Sequence, residues 1–259
     1  MQADWRARYE KALELTRWAA QLALRYFDTP LTVETKGDSS PVTIADRETE
    51  QTLRAGLAEA FPGDGFVGEE YGNESGSTGY RWIIDPIDGT RNFVRGIPIW
   101  ATLVGLEYRG ELIAGIVAAP ALGHTYHALR GNGAYRNERR IRVSDQSDLS
   151  KGVLFYSSLS WFIQAGREQA FLQLVNRTEK QRGFGDWYGH LLVAQGSGEV
   201  MVEHGVHAWD VAGIIPIVEE AGGRFTDWDG KVDIYRPDCI CSNGKLHAEV
   251  LSVLAGDPR

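Results

Sequence analysis

The chain has 259 residues, enough for one large domain or two moderate ones sharing an interface. Its 43% apolar and 24% charged residues are those of an ordinary globular protein, and no run of about 18 apolar residues offers a membrane span. A net charge of −8 without a Lys/Arg stripe excludes a general nucleic-acid binder, so an anionic ligand would need a local device such as metal ions or a helix N-terminus.

The N-terminal "MQADWRARYE" is charged and does not read as a signal peptide. Residues 3–27 read as a helix, with Trp5, Tyr9, Ala12, Thr16, Ala19, Ala23 and Tyr26 spaced three and four apart; Pro30 ends it. "VETKGDSSPVT" is a loop or an irregular hairpin. A second helix is expected to begin near Thr43–Asp46 and to stop at "FPGDG". "GFVGEE" is a short strand, and "YGNESGSTG" reads as a flexible loop. "RWIID", "IWATLVGLEY" and "ELIAGIVAAP" are strands, the last two joined by an "RG" hairpin turn. Short strands follow, with His124 and His127 in a structural role.

A seam is expected at "VSDQSDLSKG", residues 143–152. Beyond it, "GREQAFLQLVNRTE" and "DWYGHLLVAQG" read as helices and "EVMVE" as a strand. "AWDVAGIIPIVEEAGG" reads as a helix stopped by Gly222–Gly223, and its interior Pro216 predicts a kink near 212–216. Cys239 and Cys241 share one face of a strand and are poorly placed to bridge. They read as reduced thiols of a cytoplasmic protein. Mixed helices and antiparallel strands argue for a layered α+β architecture.

Several carboxylates share one pattern: each follows an apolar strand or opens a helix. They are Asp46 in "TIAD", Glu69 and Glu70 after "FVG", Asp85 and Asp88 in "WIIDPIDGT", and Asp210 in "HAWDVAG". Like charges so close raise one another's pKa values. A hard divalent cation would relieve that, taking Asp85, Asp88 and the intervening Ile87 carbonyl as oxygen ligands. Singly, each acid has a plainer reading: a turn at Asp88, a helix cap at Asp210, a solvated edge at Glu69–Glu70.

"DPIDGTRNF", with "GEE" upstream and "WDVAG…EEAGG" downstream, resembles the inositol monophosphatase family, from about Trp18 to Gly230. The resemblance implies a metal-dependent, lithium-sensitive phosphomonoesterase with an αβαβα sandwich, often a homodimer. It implies two or three Mg²⁺ ions, with Mn²⁺ as the alternative, held by Glu69, Asp85, Ile87, Asp88 and Asp210. Glu69 would also face the nucleophilic water with Thr90, and Asp46 would pair with that threonine. Gly89 and Thr90 would bind phosphate through backbone amides, and Glu70 would only support. Most metal ligands then fall in an N-terminal α+β half, residues 1–145. Asp210 and the substrate-side residues fall in a C-terminal α/β half, residues 146–259.

"NFVRGIPIWATLVGLE" and "RGFGDWYGHLLVAQG" resemble the histidinol-phosphate phosphatases of this family, which would place the enzyme in histidine biosynthesis. That substrate carries an ammonium and an imidazole, which Asp186 and Glu203 could attract. Gly185 and Arg182 complete the expected substrate side. The alternative is an inositol-1-phosphatase or a broad sugar phosphatase, since Glu203 would suit sugar hydroxyls too. Asp186 could equally cap its helix, and Arg182 could be a surface charge. Trp187 and Tyr188 belong to the core or to the pocket wall. Trp100 and His190 read as packed residues.

Overall fold

The computed structural model describes residues 2–35, 37 and 41–256. Helices α1 (Gln2–Leu24) and α2 (Ile44–Ala60) form one outer layer. Between them lies a two-residue ladder, β1 (Glu34–Thr35) with β2 (Pro41–Val42); residues 36 and 38–40 of the expected loop lie outside the described residues. The second helix begins where expected, and Thr43 caps it: its hydroxyl accepts from Ala45 N, and Asp46 returns a carboxylate to the Thr43 N–H.

An eight-stranded sheet follows, built from β3 (Gly65–Gly68), β4 (Gly72–Glu74), β5 (Tyr80–Asp88), β6 (Ala101–Tyr108), β7 (Glu111–Ala119), β8 (His124–Leu129), β9 (Ala134–Arg136) and β10 (Arg139–Ile141). Its order is β10-β9-β8-β7-β6-β5-β3-β4, antiparallel except between β3 and β5. The segment read as a flexible loop contributes β4, which pairs with β3 at the sheet edge. The four-residue helix α3 (Thr90–Phe93) springs from the end of β5. The "RG" turn holds Arg109 at φ 52° and Gly110 at φ 87°, as a tight hairpin requires.

The second sheet contains β11 (Val153–Tyr156), β12 (Lys180–Arg182), β13 (Val200–His204), β14 (Arg224–Thr226) and β15 (Asp238–Ser242), in the order β12-β11-β13-β15-β14. Helices α4 (Leu159–Gln164), α5 (Glu168–Arg177) and α9 (His247–Leu254) cover its outer face. Helices α6 (Asp186–Ala194), α7 (Ala208–Ala212) and α8 (Ile215–Glu220) lie between the sheets.

Period-two alternation divides the core accordingly. Trp82 and Ile84 of β5 pack under α1 and α2, while Ile83 faces the middle layer. In β13, Met201 faces the middle and Val200 and Val202 face outward; Cys239 and Cys241 flank outward Ile240 in the same way. Both cysteines are buried free thiols. The layers therefore run α, β, α, β, α.

The helix expected over residues 208–223, closed by Gly222–Gly223, is two helices, broken at Gly213 and Ile214. Pro216 sits in the first turn of α8, where its missing N–H leaves no bond unmade. The break also lets α7 and α8 touch the sheet. Gly105 and Gly115 are cross-strand partners on β6 and β7, and a Cβ on Gly115 would stand 2.1 Å from the Gly213 carbonyl oxygen. Backbone packs on backbone there, which fixes where α7 delivers Asp210.

Candidate active site

The C-terminal end of β5, the loop after β3 and the first turns of α3, α6 and α7 converge on one cleft of about 560 Å³. Glu69, Asp85, Ile87, Asp88, Thr90 and Asp210 all line it. A bulge in the β5–β6 register between Asp85 and Asp88 lets both carboxylates reach the same space.

Backbone amides fix three of these acids. Asp85 Oδ1 accepts from Ile87 N at 3.0 Å, Asp88 Oδ2 from Trp187 N at 2.8 Å, and Asp210 Oδ2 from His207 N at 2.7 Å. Each carboxylate is thus oriented through one oxygen, with the second outside that bond. Burial, then the charges of Glu69, Asp88 and Asp210, and a hydrogen bond with Glu69, push Asp85 well above the usual carboxylate range. Burial, then Asp186, Asp210 and Glu203, do the same to Asp88. A set of four carboxylates and a carbonyl, without thiolate or imidazole, suits a hard divalent ion such as Mg²⁺.

Gly89 caps α3 at φ 87°, a left-handed conformation that glycine adopts without strain. The Gly89 and Thr90 amides lie at a helix start, where N–H groups lack intrahelical acceptors. Thr90 Oγ1 donates to Ile87 O at 2.9 Å and stands 3.5 Å from Asp46 Oδ1. The hydroxyl has one proton, so the shorter contact takes it, and Asp46 is held chiefly by Thr43. Burial raises Asp46 to about 6 against those Thr43 hydrogen bonds.

On the far side of the cleft, Asp186 does not cap its helix. Gly185, on the cleft wall, is the cap residue, and the Asp186 carboxylate instead accepts from Asn92 Nδ2 at 3.2 Å, across the cleft. Burial, then Glu203 and Asp210, push Asp186 up to about 7. Its φ of 55° is strained for a residue with a Cβ. Glu203 joins Asp186 here, its Oε1 3.4 Å from Asp186 N. Arg182 is absent from the cleft lining: it is exposed, and its guanidinium turns back to Gln181 O at 2.8 Å. Trp187 is core except for its amide, Tyr188 packs against that core, and Trp100 is buried against Phe93. His127 is structural, bonded to Tyr9 and Asn137.

Two features lacked a local sequence signal. Buried Glu50 accepts from Glu70 N at 2.7 Å and Tyr71 N at 3.3 Å, holding the loop that carries Glu69; in the middle of α2 it looks like any other helical acid. Trp161 on α4 overhangs the cleft, on a helix too short to show a period.

Known proteins resemble this chain in sequence and in fold. The model of the inositol monophosphatase family matches residues 4–256. A histidinol-phosphatase from Chlorobaculum parvum is 42% identical, covering 96% of each chain. One from Mycobacterium tuberculosis is 40% identical over 95% of this chain and 94% of that protein. The crystal structure of extragenic suppressor protein suhB from Bartonella henselae superposes with a TM-score of 0.90 at 30% identity, covering 96% of this chain and 98% of that one. The chain belongs to the inositol monophosphatase family.

Proposed function

We propose that this protein is a Mg²⁺-dependent phosphomonoesterase that hydrolyses L-histidinol phosphate to L-histidinol and phosphate, a step in making histidine. The observation that carries the reaction class is the convergence of Glu69, Asp85, Asp88, Asp210 and the Ile87 carbonyl on one cleft. When bound there, Mg²⁺ would offset the phosphate's charge, acidify a water and stabilise the departing alkoxide. Glu69 orients that water and takes its proton, with the Thr90 hydroxyl as the second guide. The Gly89 and Thr90 amides face the phosphoryl oxygens as charge spreads over them. Asp46 holds the start of α2 against this turn.

The substrate follows from the acids that the metal set does not use. Asp186 and Glu203 stand together beyond Asp88, and a leaving group bearing an ammonium would be drawn to that pair. The relatives named histidinol-phosphatase support the same choice.

Asp186→Asn tests it. Removing the charge is expected to raise KM for L-histidinol phosphate roughly tenfold more than KM for p-nitrophenyl phosphate, whose leaving group carries no cation. Equal changes on both esters would take Asp186 out of substrate recognition.

A further inference from the structure

Glu203 is 6% exposed, on β13, and its carboxylate is held at both ends by one helix. Oε1 stands 3.4 Å from the amide of Asp186, the first residue of α6. Oε2 stands 3.1 Å from Nε2 of His190, one turn further along α6. Residues four apart share a helix face, so α6 presents both groups to Glu203 together.

The imidazole is fixed in turn. His190 is 1% exposed, and its ring packs against Phe225 with centroids 5.8 Å apart. Cys241 Sγ lies 3.8 Å from the His190 carbonyl oxygen, and Cys239 Sγ lies 4.0 Å from Nε2. Nδ1 is buried and has no hydrogen-bond partner among the described residues. A neutral imidazole has one N–H, and only at Nε2 does it meet an acceptor. The proton therefore sits on Nε2 and is donated to Glu203.

We propose that His190 is a positioning residue for substrate recognition. It donates Nε2–H to Glu203 Oε2, so that Oε1 stays at the Asp186 amide and faces the leaving group of the phosphate ester. Without that donor, a buried carboxylate oxygen is left unpaired, and Glu203 swings toward the water of the cleft, so that Oε1 loses its fixed place at the Asp186 amide. The inference rests on Asp186 and Glu203 forming the leaving-group subsite. His190, Glu203 and Cys239 also bring one ligand atom each within 4.8 Å of one another, as a transition ion would need. The 3.1 Å separation of Nε2 and Oε2 is that of a hydrogen bond, and a proton suffices to explain it.

The test is steady-state kinetics with Mg²⁺ on wild type, His190→Phe, which keeps a ring but loses the donor, and His190→Gln, whose amide can reach the same oxygen. His190→Phe is expected to raise KM for L-histidinol phosphate by roughly tenfold relative to KM for p-nitrophenyl phosphate, with kcat on both esters moving far less. His190→Gln is expected to recover most of that ratio. In a Glu203→Gln background, His190→Phe is expected to move the ratio little further, since both changes remove one arrangement.

A proportionate loss on both esters, or an additive effect in the double variant, would make His190 a packing residue and overturn the proposal. Inhibition by stoichiometric Zn²⁺ that Cys239→Ser abolishes would assign the trio to a metal ion and overturn it equally. The wild-type preference between L-histidinol phosphate and inositol 1-phosphate judges the substrate reading separately. If wild type favours inositol 1-phosphate, the same KM rise measured with that ester still supports His190 as the residue that aims Glu203.

Discussion

Single residues in this fold are held by complementary donors and acceptors, and at His247 that match ties stability to pH. Thr226 donates its hydroxyl proton to Asp227 O at 2.7 Å, so it accepts from His247 Nε2–H at 2.8 Å; Ser242 completes the pattern at Nδ1, also at 2.8 Å. Burial lowers His247 to about 4. An unfolded histidine titrates near ~6.5, so between these values the unfolded chain binds the extra proton and stability falls as pH drops. Urea unfolding of wild type and His247→Gln is expected to show the wild-type advantage shrinking by about 2 kcal/mol from pH 7 to pH 5. A difference independent of pH would mean that the imidazole titrates normally in the fold. At this scale the sequence was legible where a motif fixes the backbone, as at Asp85, Asp88 and Thr90. It was less so at Asp186 and Arg182, whose side-chain directions depend on φ and on neighbours remote in sequence.

Elements set where those residues stand. The period of three and four residues made α1 and α2 legible, and Pro216 announced the interruption that separates α7 from α8. Neither β4 nor α4 is long enough to display a period, and each exists through tertiary pairing: β4 along β3, α4 over β13. The docking of α7 and α8 through Gly105 and Gly115 was equally hidden, because a strand glycine looks the same whether it meets a backbone or nothing. Gly115→Ala forces a methyl group into the Gly213 carbonyl. It is expected to lower stability by roughly 2 kcal/mol or more, read as a reduced urea midpoint, and to cut turnover because α7 carries Asp210. A variant as stable and active as wild type would show that the layers slide without consequence for the site.

The whole molecule sets two sheets around a middle layer of helices and opens one cleft where β5, α3, α6 and α7 meet. Alternate residues of β5 and β13 fall in different core clusters, so both faces of each sheet are covered. The strand order was beyond reach, since β3 lies parallel to β5 with β4 on its other side, a pairing that no local pattern encodes. The cleft gathers acids from residues 69 to 210, and their crowding makes sense if cations share the space and a cationic substrate lies beside them. The most direct test is phosphate release by the wild-type protein from L-histidinol phosphate and inositol 1-phosphate, side by side, with Mg²⁺ and with a chelator. Release that needs Mg²⁺ and strongly favours L-histidinol phosphate is the predicted result. Release that persists in chelator would contradict the metal centre, and a preference for inositol 1-phosphate would contradict the reading of the Asp186–Glu203 pair as a site for a cationic leaving group.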